Sequence, residues 1–235
     1  MSADFALEIE NVWKYYGDFP ALRDVGLRIT RGATVALLGR NGAGKTTLLR
    51  ILAGLSSASK GVIKILGGDV REESTRRRIG VLGHGISLYD ELSAMENLIL
   101  FGKLYGLSDP KKRAEEMLEQ TGLIRVRDGL VREFSRGMRQ RLAVGRAFLH
   151  HPEILLLDEP FTALDDRAIA VLQALLREAR DQGRTIILST HQLREAMELA
   201  SHVALVQRGQ LIFSGARTQE MLDDTGFLYR TYGEN

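Results

Sequence analysis

Two short segments of this 235-residue sequence hold residues that chemistry can use. The first reads Gly39-Arg40-Asn41-Gly42-Ala43-Gly44-Lys45-Thr46, with Thr47 directly after it. Glycines at this spacing let backbone N–H groups approach a polyphosphate closely, and a helix opening behind them adds its positive end. Lys45 can then reach the β- and γ-phosphates, and the Thr46 hydroxyl is placed for a divalent cation. The second segment is Ile154-Leu155-Leu156-Leu157-Asp158-Glu159-Pro160, an apolar run that ends in two acids. Burying such charge without a partner is costly. Mg²⁺ beside Asp158 supplies the partner, and Glu159 then lies where it can polarise an attacking water. Together the segments predict hydrolysis of a nucleoside triphosphate, with Lys45 and Glu159 catalytic and Thr46 and Asp158 on the metal.

The loop at 39–46 works only between a strand and a helix. Thr34-Val35-Ala36-Leu37-Leu38 precedes it, and Leu48, Leu49, Ile51 and Leu52 follow at helical spacing. Further continuous apolar runs are Thr185-Ile186-Ile187-Leu188 and Val203-Ala204-Leu205-Val206, alongside 154–157. Such runs predict parallel strands covered on both faces. Ile169, Leu172, Leu175, Leu176 and Ala179 recur at helical spacing, and Gly183 can stop that helix. Strands alternating with helices imply a doubly wound α/β core. Near the start, Leu7 and Ile9 alternate with Glu8 and Glu10, Leu27 and Ile29 flank Arg28, and Val62, Ile63 and Ile65 precede Gly67-Gly68. That period of two predicts half-exposed antiparallel strands. The stretch 84–146 is rich in helix formers and has no clear buried strand. It reads as a helical lobe inserted into a core made of 1–83 and 147–235.

Bulk properties narrow the function. The formal net charge is +2, from 32 Lys and Arg against 30 Asp and Glu, so no broad field attracts nucleic acid. The basic run Arg76-Arg77-Arg78 reads as a solvated helix face. The sequence has no cysteine, which excludes disulfides and thiolate metal sites and suits a reducing cytoplasm. Met1-Ser2-Ala3-Asp4 lacks the basic and apolar regions of a secretory signal, and the longest apolar runs are strand-sized. A membrane role is therefore expected only through a partner.

Further segments carry a resemblance. Phe134-Ser135-Arg136-Gly137-Met138-Arg139-Gln140-Arg141 resembles the signature of ABC (ATP-binding cassette) proteins, usually L-S-G-G-Q followed by a basic residue, Gln and Arg. Ser135, Gly137, Arg139, Gln140 and Arg141 match; Phe134, Arg136 and Met138 depart. Ser135 and Gly137 at a helix N-terminus make a second anion site. Thr162-Ala163-Leu164-Asp165 resembles the family's D-loop, Ser189-Thr190-His191 its switch histidine, and Tyr16 before Gly17 the aromatic that stacks on adenine, with Tyr15 as the competing choice. The resemblance runs from about Leu7 to Gly215. It implies a P-loop NTPase fold with a RecA-like core, antiparallel N-terminal strands and an inserted helical subdomain. It also implies ATP and Mg²⁺ as cofactors, with Arg40, Asn41, Gly42, Ala43, Gly44, Thr47, Ser135, Gly137 and Asp165 on the nucleotide. In the family the signature binds the γ-phosphate held by a second subunit. The implied partners are thus another ATPase subunit, as homodimer or heterodimer, and ABC transmembrane subunits at the cytoplasmic face of the cell membrane.

One departure bears on turnover. The family carries Gln where Ile79-Gly80-Val81-Leu82-Gly83-His84 places His84. The expectation is that His84 keeps the sensor and metal role of that Gln and makes turnover more pH-dependent, because imidazole titrates near neutrality. Leu82-Gly83-His84, Leu88, Glu91-Leu92-Ser93-Ala94 and Glu96-Asn97-Leu98, taken with the signature, resemble the ATPase subunit of haem exporters that serve cytochrome c maturation. Drug, lipid and polysaccharide exporters share most of these residues. A soluble ABC ATPase of translation or DNA repair fits less well, because the chain has one cassette and no heptad run. A GTPase would need an N-K-x-D segment, and the sequence has none.

Overall fold

The computed structural model describes residues 4–83, 88–224 and 226–233. The expectation for His84 falls outside them. The chain opens with β1 (Phe5–Tyr16) and β2 (Phe19–Thr30), paired antiparallel, and β1 also pairs with β4 (Lys60–Ile65), which continues to the short β5 (Gly68–Asp69). Between these strands come β3 (Thr34–Leu38) and α1 (Lys45–Leu52). After α2 (Glu73–Arg76) and β6 (Ile79–Leu82), three helices follow: α3 (Ala94–Leu104), α4 (Pro110–Gln120) and α5 (Arg136–Phe148). The chain then runs through β7 (Ile154–Asp158), α6 (Asp166–Asp181), β8 (Thr185–Ser189), α7 (Leu193–Leu199), β9 (His202–Gln207), β10 (Gln210–Ala216), α8 (Gln219–Asp223) and α9 (Phe227–Tyr232).

The second sheet has the order β10-β9-β3-β8-β7-β6, parallel except for β10. Its apolar runs divide between two cores. Ala36, Leu38, Leu155 and Leu157 face one, and Val35, Leu37, Ile154 and Leu156 face the other. Alternate residues of a strand point to opposite faces, so every position of a doubly covered strand must be apolar. The second core holds the antiparallel sheet and α1. The first holds α6 and α7 together with α3, α4 and α5, so the inserted helices share the sheet's core. They have no separate one among the described residues. α5 runs to Phe148, two residues past the boundary expected from sequence.

The three inserted helices are well started. Ser93 and Glu96 form a reciprocal capping box on α3, Asp109 caps α4 with Pro110 at its first position, and Ser135 caps α5. The joint with the sheet is made by His150. Its ring stacks on Tyr105 at 3.7 Å, and its Nε2 meets the Ile79 carbonyl at 3.2 Å. Its Nδ1 is buried without a hydrogen bond. Burial lowers this imidazole to about 4. An unfolded histidine takes its proton near pH 6.5, so between 6.5 and 4 the unfolded state binds more protons and stability falls as pH falls. The loss from this group is about 3 kcal/mol over that window. Urea denaturation between pH 7 and 4.5 should show it, and His150→Phe, which keeps the stack, should flatten that slope.

Candidate functional site

The phosphate loop leaves β3 at Leu38 and enters α1 at Lys45. Three of its residues have positive φ: Gly39 at 150°, Gly42 at 79° and Gly44 at 110°. At Gly44 a Cβ would lie 2.8 Å from Leu22 Cδ2 and 2.9 Å from the Ala21 carbonyl, so both conformation and space demand glycine. No side chain caps α1, and no acid occupies its first turn. Its leading N–H groups and the helix dipole are therefore available to an anion. Arg40, Asn41 and Gly42 are exposed on the loop's outer side, Ala43 is buried, and Thr46 and Thr47 are half-buried in the first turn.

Lys45 is 7% exposed and donates to the carbonyls of Gly39 at 2.7 Å and Arg40 at 3.2 Å. Burial lowers its ammonium, and the nearby Glu159 and Asp158 pull the other way. These acids come from the end of β7, where Asp158 pairs in register with Ser189 of β8. Two parallel strand ends thus bring the acid pair and Ser189-Thr190-His191 together. The Ser189 hydroxyl donates to Asp158 Oδ1. Asp158 Oδ2 is buried and has no hydrogen-bond partner among the described residues, and Asp158 and Thr46 line one cavity. A carboxylate oxygen without a donor beside a hydroxyl is a donor set that suits a hard divalent cation.

Glu159 stands in left-handed backbone, φ 52°, which turns its side chain off the strand line. Its Oε2 accepts from the His191 backbone N–H at 3.2 Å and meets His191 Nδ1 at 2.8 Å. The carboxylate is mostly buried and the imidazole is 64% exposed, so His191 reaches outward from a fixed base. Gln140 of α5 donates to the carbonyls of Glu159 at 3.4 Å and Pro160 at 3.1 Å, tying the signature helix to the acid pair.

Other sequence-marked residues lie apart from this centre. Ser135 is exposed at the start of α5 and accepts from the Met138 N–H at 3.2 Å. A Cβ on Gly137 would lie 2.9 Å from the Ala163 carbonyl, so the small residue lets the 162–165 segment pass close. Among the described residues neither Ser135 nor Gly137 hydrogen-bonds the phosphate loop. The departures from the usual signature have distinct fates: Phe134 is buried, Met138 packs against the core, and Arg136 is exposed. Asp165 caps α6, its Oδ1 accepting from the Ala168 N–H at 2.8 Å. Tyr15 stacks on Trp13, rings parallel within 7°, while Tyr16 is 51% exposed at the end of β1 with Lys14 Nζ 5.0 Å from its ring centre. Sequence reasoning missed the Ser189–Asp158 bond, for which the only signal is the strand-end position of both residues. It also missed Tyr229 of α9, which borders a cavity together with the phosphate loop.

A glycine loop between buried strand and helix, a lysine inside it, and an acid pair at the end of β7, one strand beyond β3's neighbour β8, define a nucleoside triphosphatase of the phosphate-loop class. Comparison with known proteins narrows the class. The family model described as ABC transporter matches residues 22–162. The chain is 40% identical over 201 residues to the ABC transporter ATP-binding protein NatA of Bacillus subtilis, covering 83% of this chain and 82% of that one. It is 40% identical over 228 residues to the daunorubicin resistance ATP-binding protein DrrA3 of Streptomyces coeruleorubidus, covering 95% and 72%. A solved dimeric structure of a bacterial ABC transporter cassette superposes with a TM-score of 0.84 at 27% identity, covering 90% of this chain and 99% of that one. The chain belongs to the ABC transporter family as an ATP-binding, ATP-hydrolysing domain. The finer resemblance to haem exporters gains no support from these relatives, one of which is named for drug resistance.

Proposed function

We propose that the chain is the ATPase subunit of an ABC exporter of drug-, lipid- or polysaccharide-like molecules, acting through separate membrane subunits at the cytoplasmic face. The observation that carries the ATPase part is Glu159 fixed by His191 beside Lys45 and the unpaired Asp158 Oδ2. The drug-resistance name of a relative 40% identical supports the export part. Among the described residues no helix is long and apolar enough to cross a membrane.

In this reading Tyr16 stacks on adenine and the backbone at 39–47 cradles the phosphates. Lys45 offsets the charge that develops on the γ-phosphate, and Glu159 polarises the attacking water while His191 orients Glu159 and senses the γ-phosphate. Thr46 and Asp158 would hold Mg²⁺, which supplies positive charge against the β- and γ-phosphates. His84 takes the position of the family's Gln. Ser135, Gly137 and Asp165 serve the nucleotide held by a second ATPase subunit, so ATP closes a dimer and hydrolysis reopens it. The solved dimeric cassette supports that assembly. Residues 84–146 act as the inserted lobe. The groove between it and the core, bordered by Leu55, Leu104, Tyr105, Arg76, Arg77 and Arg146, receives a short helix of the membrane subunit.

The test is to capture the chain with its partners from detergent-solubilised membranes and to measure phosphate release with daunorubicin, a phospholipid or haem added. Stimulation by the drug or the lipid and not by haem is the expected result. Stimulation by haem alone would overturn the proposal in favour of haem export.

A further inference from the structure

The loop after β7 holds two non-glycine residues in left-handed backbone, Glu159 at φ 52° and Ala163 at φ 63°. Such conformations cost free energy and persist where the surroundings secure them. Glycine would relieve Glu159 but remove its carboxylate, so the turn has to be held from outside. Two holds are backbone bonds. The Glu159 N–H donates to the Ser189 carbonyl at 2.9 Å, and the Glu159 carbonyl accepts from the Thr162 N–H at 3.2 Å.

The third hold comes from α5. Gln140 is 9% exposed, and its Nε2 donates to the carbonyls of Glu159 at 3.4 Å and Pro160 at 3.1 Å. Pro160 has no N–H of its own, so successive carbonyls are what this turn offers as handles, and one amide grips two of them. Among the described residues no other donor reaches the Pro160 carbonyl. α5 meets the same loop again at Gly137, where a Cβ would lie 2.9 Å from the Ala163 carbonyl. The helix thus bears on the loop beside both left-handed residues. Gln140 itself makes no hydrogen bond to the phosphate loop among the described residues, so its removal leaves Lys45 and Thr46 in place.

We propose that Gln140 is a positioning residue for hydrolysis, holding the Glu159–Pro160 turn so that the Glu159 carboxylate stays in reach of the attacking water. The inference rests on the reading of Glu159 as the base and adds a residue of α5 that acts through it. Without the amide the two carbonyls lose a donor, the turn relaxes, and the carboxylate moves off its mark. A misplacement of about 1 Å can cost about a hundredfold in rate. Nucleotide binding does not use this turn, so the loss falls on kcat and leaves KM alone.

The experiment uses the full chain captured with its membrane partners. Gln140→Met fills nearly the same volume without a donor, and Gln140→Asn keeps the amide one methylene short. ATP KM, kcat and affinity for a fluorescent ATP analogue are measured for each, and single-turnover hydrolysis is followed for Glu159→Gln and for Glu159→Gln with Gln140→Met. Both Gln140 variants should lower kcat by about tenfold, because the Ser189 and Thr162 bonds remain, with KM and analogue affinity within about twofold of wild type. In the Glu159→Gln background, Gln140→Met should change the residual rate by less than about twofold, since a residue that acts through Glu159 has nothing left to position. A wild-type kcat in both Gln140 variants, a loss confined to KM, or the same tenfold loss with Glu159 already replaced would overturn the proposal. If Glu159→Gln alone keeps the wild-type rate, the reading of Glu159 as the base fails and this inference falls with it. A Glu159→Gln defect beside unchanged Gln140 variants removes the inference alone.

Discussion

Glu159→Gln should slow ATP hydrolysis by about a thousandfold and leave nucleotide binding in place, as removal of a general base does. The substitution is gentle in structure. Glu159 Oε2 accepts from the His191 backbone N–H at 3.2 Å, and an amide oxygen can accept the same bond. The backbone at φ 52° is held by the Glu159 N–H to the Ser189 carbonyl at 2.9 Å and by Gln140 on the Glu159 carbonyl, neither of which involves the carboxylate. What is lost is the negative charge that draws a proton from water. With ATP bound and not consumed, the composite dimer should accumulate. Light scattering should then report a shift from monomer to dimer mass with ATP and Mg²⁺, and a monomer with ADP. Phosphate release at the wild-type rate would remove Glu159 from its assigned role. A monomer in ATP would mean that Arg136 and Met138, where the signature departs from its usual form, leave too weak a site, or that closure requires the membrane subunit.

The site was legible in sequence wherever its chemistry requires consecutive residues. A phosphate loop must be contiguous because neighbouring N–H groups make the cradle. The acid pair was visible because Asp158 and Glu159 close an apolar run that only a doubly covered strand explains. Contacts that depend on register were not visible. Ser189 meets Asp158 because β7 and β8 pair in parallel, and nothing in 154–160 names Ser189 as a partner. Periodicity left Tyr15 and Tyr16 as alternatives. The strand separates them, since Tyr15 lies two residues from Trp13 and shares its face while Tyr16 points the other way.

Short elements were the least legible. α9 spans six residues, too few for a periodic signal, and its Tyr229 lines a cavity with a loop far away in sequence. The resemblance named residues by likeness where the fold shows a local task. Asp165 came from the D-loop likeness as a nucleotide contact, and within the chain its carboxylate caps α6. The likeness to haem exporters leaned on Leu82-Gly83-His84, Leu88 and the signature, and also on Leu92, Ser93, Glu96 and Asn97. In the fold Ser93 and Glu96 form the capping box of α3, and the buried Asn97 bonds the backbone at Tyr89, Leu92 and Ser93. These residues start a helix, a task that any exporter with the same lobe shares, and so they carry little information about cargo.

Lys45→Ala and Ser135→Glu should both abolish turnover, by different routes that reveal whether the active site spans two chains. Lys45 is buried among the loop carbonyls, and its ammonium is the positive group inside the cradle. Its removal should weaken ATP binding and cut turnover by about a hundredfold or more, the scale seen when one preorganised electrostatic contact to a reacting group is lost. Ser135 is exposed, caps α5 through the Met138 N–H, and makes no hydrogen bond to the phosphate loop. A glutamate there costs about 1 kcal/mol or less in helix capping. It also sets a carboxylate where the γ-phosphate of a second subunit would lie. ATP binding by the monomer should therefore stay near wild type, while ATP-driven dimerisation and hydrolysis are lost together. Binding of a fluorescent ATP analogue, light scattering and phosphate release on the same preparations separate the two routes. If Ser135→Glu weakens monomer binding as severely as Lys45→Ala, both residues act on one chain's nucleotide and the two-chain site is wrong. If binding holds and only dimer and turnover fail, the anion site at the head of α5 belongs to a neighbour's ATP.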